Sequence, residues 1–324
     1  MSRRAALILS LDFELDWGVR HAGRTVDADG TRRAVDALLT VFDAEDIAAT
    51  WATVGFLFAA DRQDRERHTP TTLPGYRDPA LSPYADRTGN SEADDPARYA
   101  LSLLRSIGDT PRQEIGSHTY SHYFALAPGQ RREAFADDLG SAQRVASAHG
   151  FALRSLVFPK NQVNGAYLDL LPTHGFTCYR GRERGWRHAG DALPQRAARL
   201  WQSYAGDAAA LTAPWASVRA PSVAGPVNVP GTAFLRPARP SAPLLDTLRI
   251  RRLQDALRLA AARNRFVHVW WHPHNFAAHL SKNMSDLRAV IRTVSELRDR
   301  GLIDSLTMAE AAARAPAEPG ASSC

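Results

Sequence analysis

Short apolar runs alternate with amphipathic segments along most of this chain, and this alternation restricts the possible folds more than any other feature. Residues 5–10 form an apolar run typical of a strand buried on both faces. Residues 31–46 then show helical spacing of apolar side chains, and residues 48–54 are strand-like again. The same spacing predicts strands over residues 113–117, 153–158, 176–179, 266–271 and 302–306, and helices over residues 99–107, 130–148, 166–174, 244–263, 282–300 and 308–314. Repeated strand–helix units predict an α/β fold, either a barrel or a doubly wound sheet.

Residues 60–97 interrupt this alternation with a polar stretch rich in proline, aspartate and arginine. A connection of this length without secondary structure is uncommon in a compact domain, so we expect the segment to be either disordered or a cap over a functional site. The run VNVPGTAFL at residues 227–235 is a further strand candidate near a rim. We predict a single domain over residues 1–315 with this long inserted loop, followed by a flexible tail over residues 316–324.

The charge balance gives little support to nucleic-acid binding. The chain carries 40 basic and 34 acidic side chains, for a formal charge of +6 and a pI near 9.7. The basic residues are mostly arginines scattered along the sequence, without a dense basic block or a nucleic-acid motif. We therefore expect no nucleic-acid partner, and the positive excess is compatible with an anionic substrate such as a nucleotide-linked sugar.

Cysteine content and hydropathy narrow the expected environment. Two cysteines, Cys178 and the terminal Cys324, are too few for a disulfide framework or a cysteine-based zinc site, and Cys178 is expected to be buried. No run approaches 18 apolar residues, so no membrane span is predicted. The apolar run near the start ends at Asp12 without a small-residue cleavage site, which argues against a signal peptide. The expected compartment is the cytoplasm, and the oligomeric state is left open.

Two clusters of polar side chains follow predicted strands, where α/β folds place their active sites. Asp12 and Glu14 lie on the same side of an extended segment, and two carboxylates on one side repel unless a cation or a proton intervenes. His118 and His122 are four residues apart, a spacing that places both imidazoles on one face of a helical turn. Two histidines and one carboxylate form a divalent-metal site with open positions for water.

A third cluster, Trp270-Trp271-His272-Pro273-His274-Asn275-Phe276, stands at the end of another predicted strand. Aromatic side chains beside histidines are suited to a sugar platform with a titrating group, although one of the two tryptophans is expected to be core. His272 sits where the strand ends and is better placed to face the reacting centre. His274 follows a proline and is expected to line the entrance, and His279 is expected to be a solvated helix residue.

The sequence runs LSLDFELDWG, EIGSHTYSH and WWHPHNF resemble the first, second and fifth motifs of the polysaccharide deacetylases, and LVFPKNQVN followed by HGFTCYRG resembles the third. The motifs occur in the family's order and cover roughly residues 5–280. The resemblance implies a distorted (β/α)7-type barrel and a divalent metal, commonly zinc. By the same resemblance Asp12 matches the catalytic base and His272 the general acid. The metal ligands matched by the resemblance are Glu14, His118 and His122.

The sequence departs from the family pattern in two places. Phe13 separates the two carboxylates that are adjacent in many members, and Glu14 stands where aspartate is the usual ligand, which leaves the identity of the metal open. The third motif lacks the arginine that orients the base, and either Lys160 or Arg180 is expected to substitute for it. The substrate-binding residues predicted around this site are Lys160, Asn161, Arg180, Trp271 and His274.

The predicted activity is metal-dependent N-deacetylation: hydrolysis of the acetamide of an N-acetylated amino sugar in a glycan, nucleotide-sugar or glycoconjugate precursor. In this chemistry the metal polarises the acetyl carbonyl, Asp12 takes a proton from the attacking water, and His272 protonates the departing amine. Imidazole is suited to that last step because it titrates near neutral pH. Two alternatives remain open: an amidase acting on a non-sugar C–N bond on the same scaffold, and a catalytically silent carbohydrate-binding protein.

Overall fold

The computed structural model describes residues 3–181, 204, 206–220, 222 and 225–315, so the predicted tail over residues 316–324 lies outside the described residues. The strands are β1 (Ala5–Phe13), β2 (Ala49–Thr53), β3 (Gln113–Ser117), β4 (Ser155–Val157), β5 (Cys178–Arg180), β6 (Ala213–Pro214), β7 (Val227–Asn228), β8 (Ala233–Phe234), β9 (Arg265–Trp271) and β10 (Ile303–Leu306). The helices are α1 (Asp16–Val19), α2 (Ala28–Ala44), α3 (Arg62–Arg67), α4 (Leu101–Asp109), α5 (Arg132–Ala148), α6 (Leu170–Thr173), α7 (Pro243–Arg263), α8 (His274–Ala277), α9 (Leu280–Asp299) and α10 (Met308–Ala313).

Parallel strands form a ring that one irregular segment closes. The order β9-β1-β2-β3-β4-β5-β7 is parallel throughout, and β8 is parallel to β9. Residues 227–235 therefore pair first with β5 and then with β9. Val229 N donates to Tyr179 O at 2.9 Å, and Leu235 N donates to Trp270 O at 2.9 Å. This closure confirms the distorted (β/α)7-type barrel and excludes the doubly wound alternative. The antiparallel β6 and the parallel β10 extend the sheet at β9 and β1.

Side-chain alternation along the strands separates two cores. On β1, Leu7, Leu9 and Leu11 face outward and share the main apolar core with buried residues of α2, α7 and α9. Ala6 and Ile8 face inward and belong to a second cluster with Val157, Cys178 and Phe266 inside the barrel. Because the period along a strand is two residues, Ser10 and Asp12 continue this inner face toward the carboxyl end of β1. Cys178 is buried as predicted.

Helix α10 closes the barrel at the amino ends of the strands. Met308 and Ala311 belong to the inner cluster, so the helix supplies an apolar floor. At its first turn, Met308 N donates to Thr50 Oγ1 at 2.8 Å, and Ala309 N donates to Glu114 Oε2 at 3.2 Å. These bonds satisfy N–H groups that have no partner within a helix. The polar side chains of the inner face are thereby left at the opposite end, where the strands finish.

Residues 60–97 pack against the barrel in the structure. Besides helix α3, the segment contains two short 3-10 turns, Pro79–Leu81 and Pro83–Ala85. Its Asp86 binds Arg20 and Arg98, and its Tyr76 hydroxyl accepts from Phe124 N at 2.9 Å. The segment thus lies against the chain that follows Glu14 and the chain that follows His122. Whether it touches a substrate stays a prediction.

The helix predicted over residues 166–174 is split into a 3-10 turn at Gly165–Tyr167 and the short α6, because Pro172 cannot donate a backbone hydrogen bond. Across the part of the chain that the structure describes, none of the helices combines the length and apolar character needed to cross a membrane.

Candidate active site

The predicted site residues meet at the carboxyl ends of the barrel strands. Asp12 lies on β1 and Glu14 directly follows it, while His118 follows β3 and His272 follows β9. Arg180 ends β5 and points inward across the barrel. The alternation of β1 places Asp12 and Glu14 on one side, as the sequence predicted.

Both imidazoles of the predicted metal pair face one carboxylate oxygen. His118 Nε2 lies 2.9 Å and His122 Nε2 lies 3.2 Å from Glu14 Oε1. Ligand atoms bound to one ion at about 2 Å lie about 3 to 3.5 Å apart, so these separations are suited to a shared ion. The Nδ1–H of His118 donates to Val157 O at 2.9 Å, which directs its Nε2 lone pair at Glu14. A lone pair facing a carboxylate is repulsive unless a cation lies between them, so the donor set fits a divalent metal.

The electrostatics of these groups agree with a cation site. Burial raises the pKa of Glu14, but the charge of His272 leads the opposing effects and that pKa lies well below its usual range. Burial lowers the pKa of His122, and Glu14 only partly offsets this. A carboxylate that stays ionised beside a neutral imidazole is the protonation pattern that metal binding requires.

The histidine pair does not lie on a helical turn, which corrects that part of the sequence prediction. Residues 118–122 form a loop in which Thr119 (φ 63°) and His122 (φ 56°) adopt left-handed backbone conformations. The buried Asp138 of α5 holds this loop, because its carboxylate accepts from Tyr120 N at 2.7 Å and Ser121 N at 3.1 Å. These contacts, and not a helical repeat, bring the two imidazoles together.

Glu14 owes its position to a sharp change of direction after β1. Leu15 has φ 49° and ψ −137°, and it leads directly into α1. A Cβ atom on Gly18 would lie 1.7 Å from Glu14 Oε2, so only glycine leaves room for the carboxylate in its observed position. The first turn after β1 therefore explains how the longer glutamate reaches the histidine pair.

Arg180, and not Lys160, is the residue that orients Asp12. Its Nη1 donates to Asp12 Oδ1 at 2.7 Å and its Nη2 donates to Asp12 Oδ2 at 2.7 Å. Burial raises the pKa of Asp12, but the charge of Arg180 contributes most to the opposing effects that leave that pKa below its usual value. Asn161 Oδ1 accepts from Arg180 Nη2 at 3.0 Å. Lys160 instead lies over the Phe124 ring, 4.2 Å from its centroid.

The predicted substrate role of Arg180 needs correction, because the residue is fully buried and committed to Asp12 and its neighbours. The same holds for Trp271, which faces outward from β9 into the helix layer, is fully buried, and stacks on Phe276 at 5.6 Å. The two-residue period explains this error: Trp270, and not Trp271, shares the inner face with His272. Trp270 packs under Arg180, with the guanidinium carbon 4.5 Å from its ring.

Two buried residues that were not predicted from the sequence, Ser10 and His268, extend the hydrogen bonding of the Asp12–Arg180 pair. Arg180 Nη1 also donates to Ser10 Oγ at 3.0 Å, and Ser10 Oγ lies 2.8 Å from His268 Nε2. His268 Nδ1 lies 3.2 Å from Pro230 O, so Nδ1 carries the proton and Nε2 accepts from Ser10. Burial lowers the pKa of His268 to about 3 and keeps this ring neutral. The inner-face periodicity of β1 and β9 was the available signal for both residues.

His272 faces both carboxylates from the other side of the site. Its Nε2 lies 3.6 Å from Glu14 Oε1 and 3.8 Å from Asp12 Oδ2, and its side chain is 23% exposed. His274 begins α8 with its ring 5.1 Å from that of His272. Burial lowers the pKa of His274 to about 4. His272 therefore reaches the reacting centre more directly than His274, and His279 is an exposed residue at the start of α9.

Two overlapping triads of the described residues bring ligand atoms within 4.8 Å of one another: Glu14, His118 and His122, and Asp12, Glu14 and His272. The first triad is the better metal site for two reasons. Its His118 is already fixed in the tautomer that offers Nε2, whereas Asp12 in the second triad already binds Arg180 through both oxygens. Asp12 and His272 remain beside the first triad as an acid–base pair.

The barrel is similar to those of solved proteins. A Mycobacterium smegmatis protein assigned as a polysaccharide deacetylase has a TM-score of 0.56 at 13% identity, over 97% of this chain and 91% of that protein. Puue allantoinase has a TM-score of 0.55 at 12% identity, and the match covers 96% of this chain and 90% of that protein. A Pseudomonas aeruginosa PAO1 protein assigned as a polysaccharide deacetylase has a TM-score of 0.52 at 11% identity, and the match covers 95% of this chain and 89% of that protein. No protein-family model and no curated protein matches the sequence. This chain therefore has the polysaccharide deacetylase fold.

Proposed function

We propose that the protein is a metal-dependent N-deacetylase that hydrolyses the acetamide of an N-acetylated amino sugar in a glycan, nucleotide-sugar or glycoconjugate precursor. The observation that carries the proposal is the convergence of His118 and His122 on Glu14 Oε1, with Asp12 and His272 within reach of the same point. This arrangement combines a cation site with a base and an acid on separate strands. The fold shared with proteins assigned as polysaccharide deacetylases supports the same chemistry.

The residues divide the reaction between them. Zinc is the ion we propose for the nitrogen-rich ligand set, and when bound it supplies a Lewis acid and an activated water. Asp12 accepts a proton from the attacking water, and Arg180 fixes the carboxylate in the orientation this transfer needs. His272 is placed to donate a proton to the departing amine. Because one side chain accepts a proton and another donates one, neither side chain has to move across the site during the reaction. Afterwards Asp12 releases its proton to solvent and His272 takes one up.

A second candidate is hydrolysis of a non-sugar amide on the same barrel. The observation in its favour is the equally good superposition on an allantoinase. A third possibility, a silent carbohydrate-binding protein, would have no need of the Asp12–Arg180 pair or of His272 beside the metal ligands. A panel that contains N-acetylated sugars, their conjugates and cyclic ureides such as allantoin separates these candidates by the product released.

Acetate release and metal content test the proposal on the purified protein. We expect about one divalent ion per chain and loss of most of it in His118→Ala. Asp12→Asn should keep the ion and lose about 100- to 10,000-fold in turnover, because asparagine cannot accept the proton. Asp43→Asn, on the exposed face of α2, is the control. Unchanged metal content in His118→Ala, or near-normal turnover in Asp12→Asn, would contradict the assignment.

A further inference from the structure

Two consecutive residues with strained backbone conformations stand beside the site. Lys160 (φ 53°) and Asn161 (φ 52°) are both left-handed, although neither is glycine. Left-handed conformations are uncommon for residues other than glycine, and they persist where the surrounding structure requires them. Here the turn has two results: Asn161 Oδ1 reaches Arg180, and Lys160 Nζ reaches the Phe124 ring. The same strained turn therefore positions the partner of the base and a cation.

The Phe124 ring lies between the Lys160 ammonium and His122, a proposed metal ligand. Its Nζ lies 4.2 Å from the Phe124 ring centroid, and the His122 ring lies 5.1 Å from the same ring. His21 contacts Phe124 as well, at 5.3 Å. Phe124 is only 3% exposed and its backbone N–H is held by Tyr76, so it is a fixed support for the ammonium.

Within the described part of the chain, Lys160 forms no ion pair with a carboxylate. The nearby carboxylates have other partners: Asp12 binds Arg180, and Glu14, whose charge reaches Lys160, would bind the metal. The sequence contains only two lysines among its 40 basic residues, and the other, Lys282, is paired with Asp286. A compact, exposed ammonium beside the site that pairs with none of the described carboxylates is complementary to an anion.

We propose that Lys160 selects N-acetylated substrates that carry a phosphate or carboxylate group near the acetamide-bearing ring. This inference rests on the proposed deacetylase function and narrows its substrate class. The anion would contact the ammonium beside Phe124 while the acetamide lies between Asp12 and His272. Lys160 acts in this arrangement as a specificity residue, and it takes no part in the proton transfers.

The kinetic test compares N-acetylglucosamine with its 1-phosphate and its 6-phosphate, so that two positions of the anion are sampled. The measured quantity is the ratio of kcat/KM for the phosphorylated and the neutral sugar. We expect at least one phosphorylated sugar to be preferred at low salt, and this preference to weaken as salt is added. Lys160→Met should lower the ratio about 10-fold, as expected for loss of a charged hydrogen bond, and Lys160→Arg should retain it. Lys282→Met, at the only other lysine, is the matched control.

Two kinetic outcomes overturn the inference while leaving the deacetylase intact. One is an unchanged ratio in Lys160→Met. The other is an equal loss of kcat on neutral and phosphorylated sugars, which would place Lys160 at the reacting acetamide. A binding measurement does not depend on turnover: amine labelling of Lys160 in the Lys282→Met background, followed by mass spectrometry. Inorganic phosphate should protect Lys160 from labelling in the metal-loaded protein, and absence of protection overturns the anion site. If no compound releases acetate, the proposed function fails and the labelling result alone decides on the anion site.

Discussion

Glu14 Oε1 is the atom on which both histidines converge, and its place depends on the absence of a side chain four residues later. A Cβ atom on Gly18 would lie 1.7 Å from Glu14 Oε2. The carboxylate would have to turn away from His118 and His122 to make room. The geometry of the metal site is therefore fixed partly by a residue that offers it no ligand atom.

We predict that Gly18→Ala weakens metal binding by about 10- to 100-fold, the usual cost of disturbing a residue that supports a ligand. Elemental analysis after dialysis against a weak chelator measures this. Gly165→Ala is the matched control, because a Cβ at that position meets nothing within 4 Å. Equal metal retention in the two variants would show that Glu14 does not have to occupy its observed position.

His272 and His274 should differ in what their removal changes. His272 lies 3.6 Å from Glu14 Oε1, whereas His274 begins the following helix. We expect His272→Ala to keep the metal, lose most turnover and lose the alkaline limb of the pH–rate profile, because a general acid must be protonated. His274→Ala should mainly raise KM. Profiles of both variants check this, and the reverse pattern would exchange their roles.

The sequence points to candidate residues at strand ends and gives little indication of those behind them. Asp12, Glu14, His118 and His122 stand out because unusual polar side chains follow apolar runs, and the structure brings these side chains together. The prediction for Trp271 was wrong because the two-residue period of β9 places Trp270, and not Trp271, on the inner face with His272. The same period places His268 on the inner face of β9 and Ser10 on the inner face of β1, and neither was predicted.

At the scale of elements, the loop after β3 replaces the helical turn that the histidine spacing suggested. Spacing of four residues is shared by helices and by many loops, so the sequence could not distinguish them. The deciding group, Asp138, is 16 positions beyond His122 on α5, and its contacts with Tyr120 and Ser121 are long-range. Gly55 adds a second restraint, because its N–H donates to Thr119 O at 2.9 Å.

We predict that Asp138→Asn lowers metal affinity by about 10- to 100-fold while the chain still folds. Burial raises the pKa of Asp138 to about 6, so near neutral pH both oxygens of the ionised group accept hydrogen bonds. The asparagine amide would turn an N–H₂ group toward a backbone N–H, and two donors repel. Metal titration followed by calorimetry measures the effect, with Asp43→Asn as the control. Normal affinity in Asp138→Asn would mean that the loop holds its shape without this carboxylate.

Strands β7 and β8 could not be predicted from the periodicity of the sequence. Each contains two residues, too few to establish a two-residue period. The run at residues 227–235 was a strand candidate on composition, but its division between β5 and β9 depends on the width of the gap that the other strands leave. Barrel closure is therefore visible only in three dimensions.

At the scale of the whole molecule, the buried neutral His268 links stability to pH. Burial lowers its pKa in the folded state to about 3, against about 6.5 for an exposed imidazole. The unfolded chain binds the extra proton below about pH 6.5, so stability is fully present above that pH and is lost as the pH falls toward 3. At about pH 5 the loss from this one group is about 2 kcal/mol.

We expect His268→Gln to reduce by about 2 kcal/mol the difference in unfolding free energy between about pH 7.5 and about pH 5. Glutamine at this position still offers an acceptor and a donor but cannot gain the proton. Denaturant unfolding at the two pH values gives the comparison, and His279→Gln, an exposed histidine, is the control. If the unfolding free energy changed equally between the two pH values in wild type and His268→Gln, protonation of the His268 ring would not affect stability.

The contact between Asp12 and Arg180 joins residues 168 positions apart, on strands that lie on different sides of the barrel. All three proposed metal ligands belong to the first 122 residues of the chain, whereas the arginine that orients the base and the histidine that donates the proton come later. In the order of biosynthesis, the base and the three ligands are made before the arginine that orients the base and the histidine that donates the proton. The ion site and its proton donor are separated along the chain, and only the finished ring of strands brings them together.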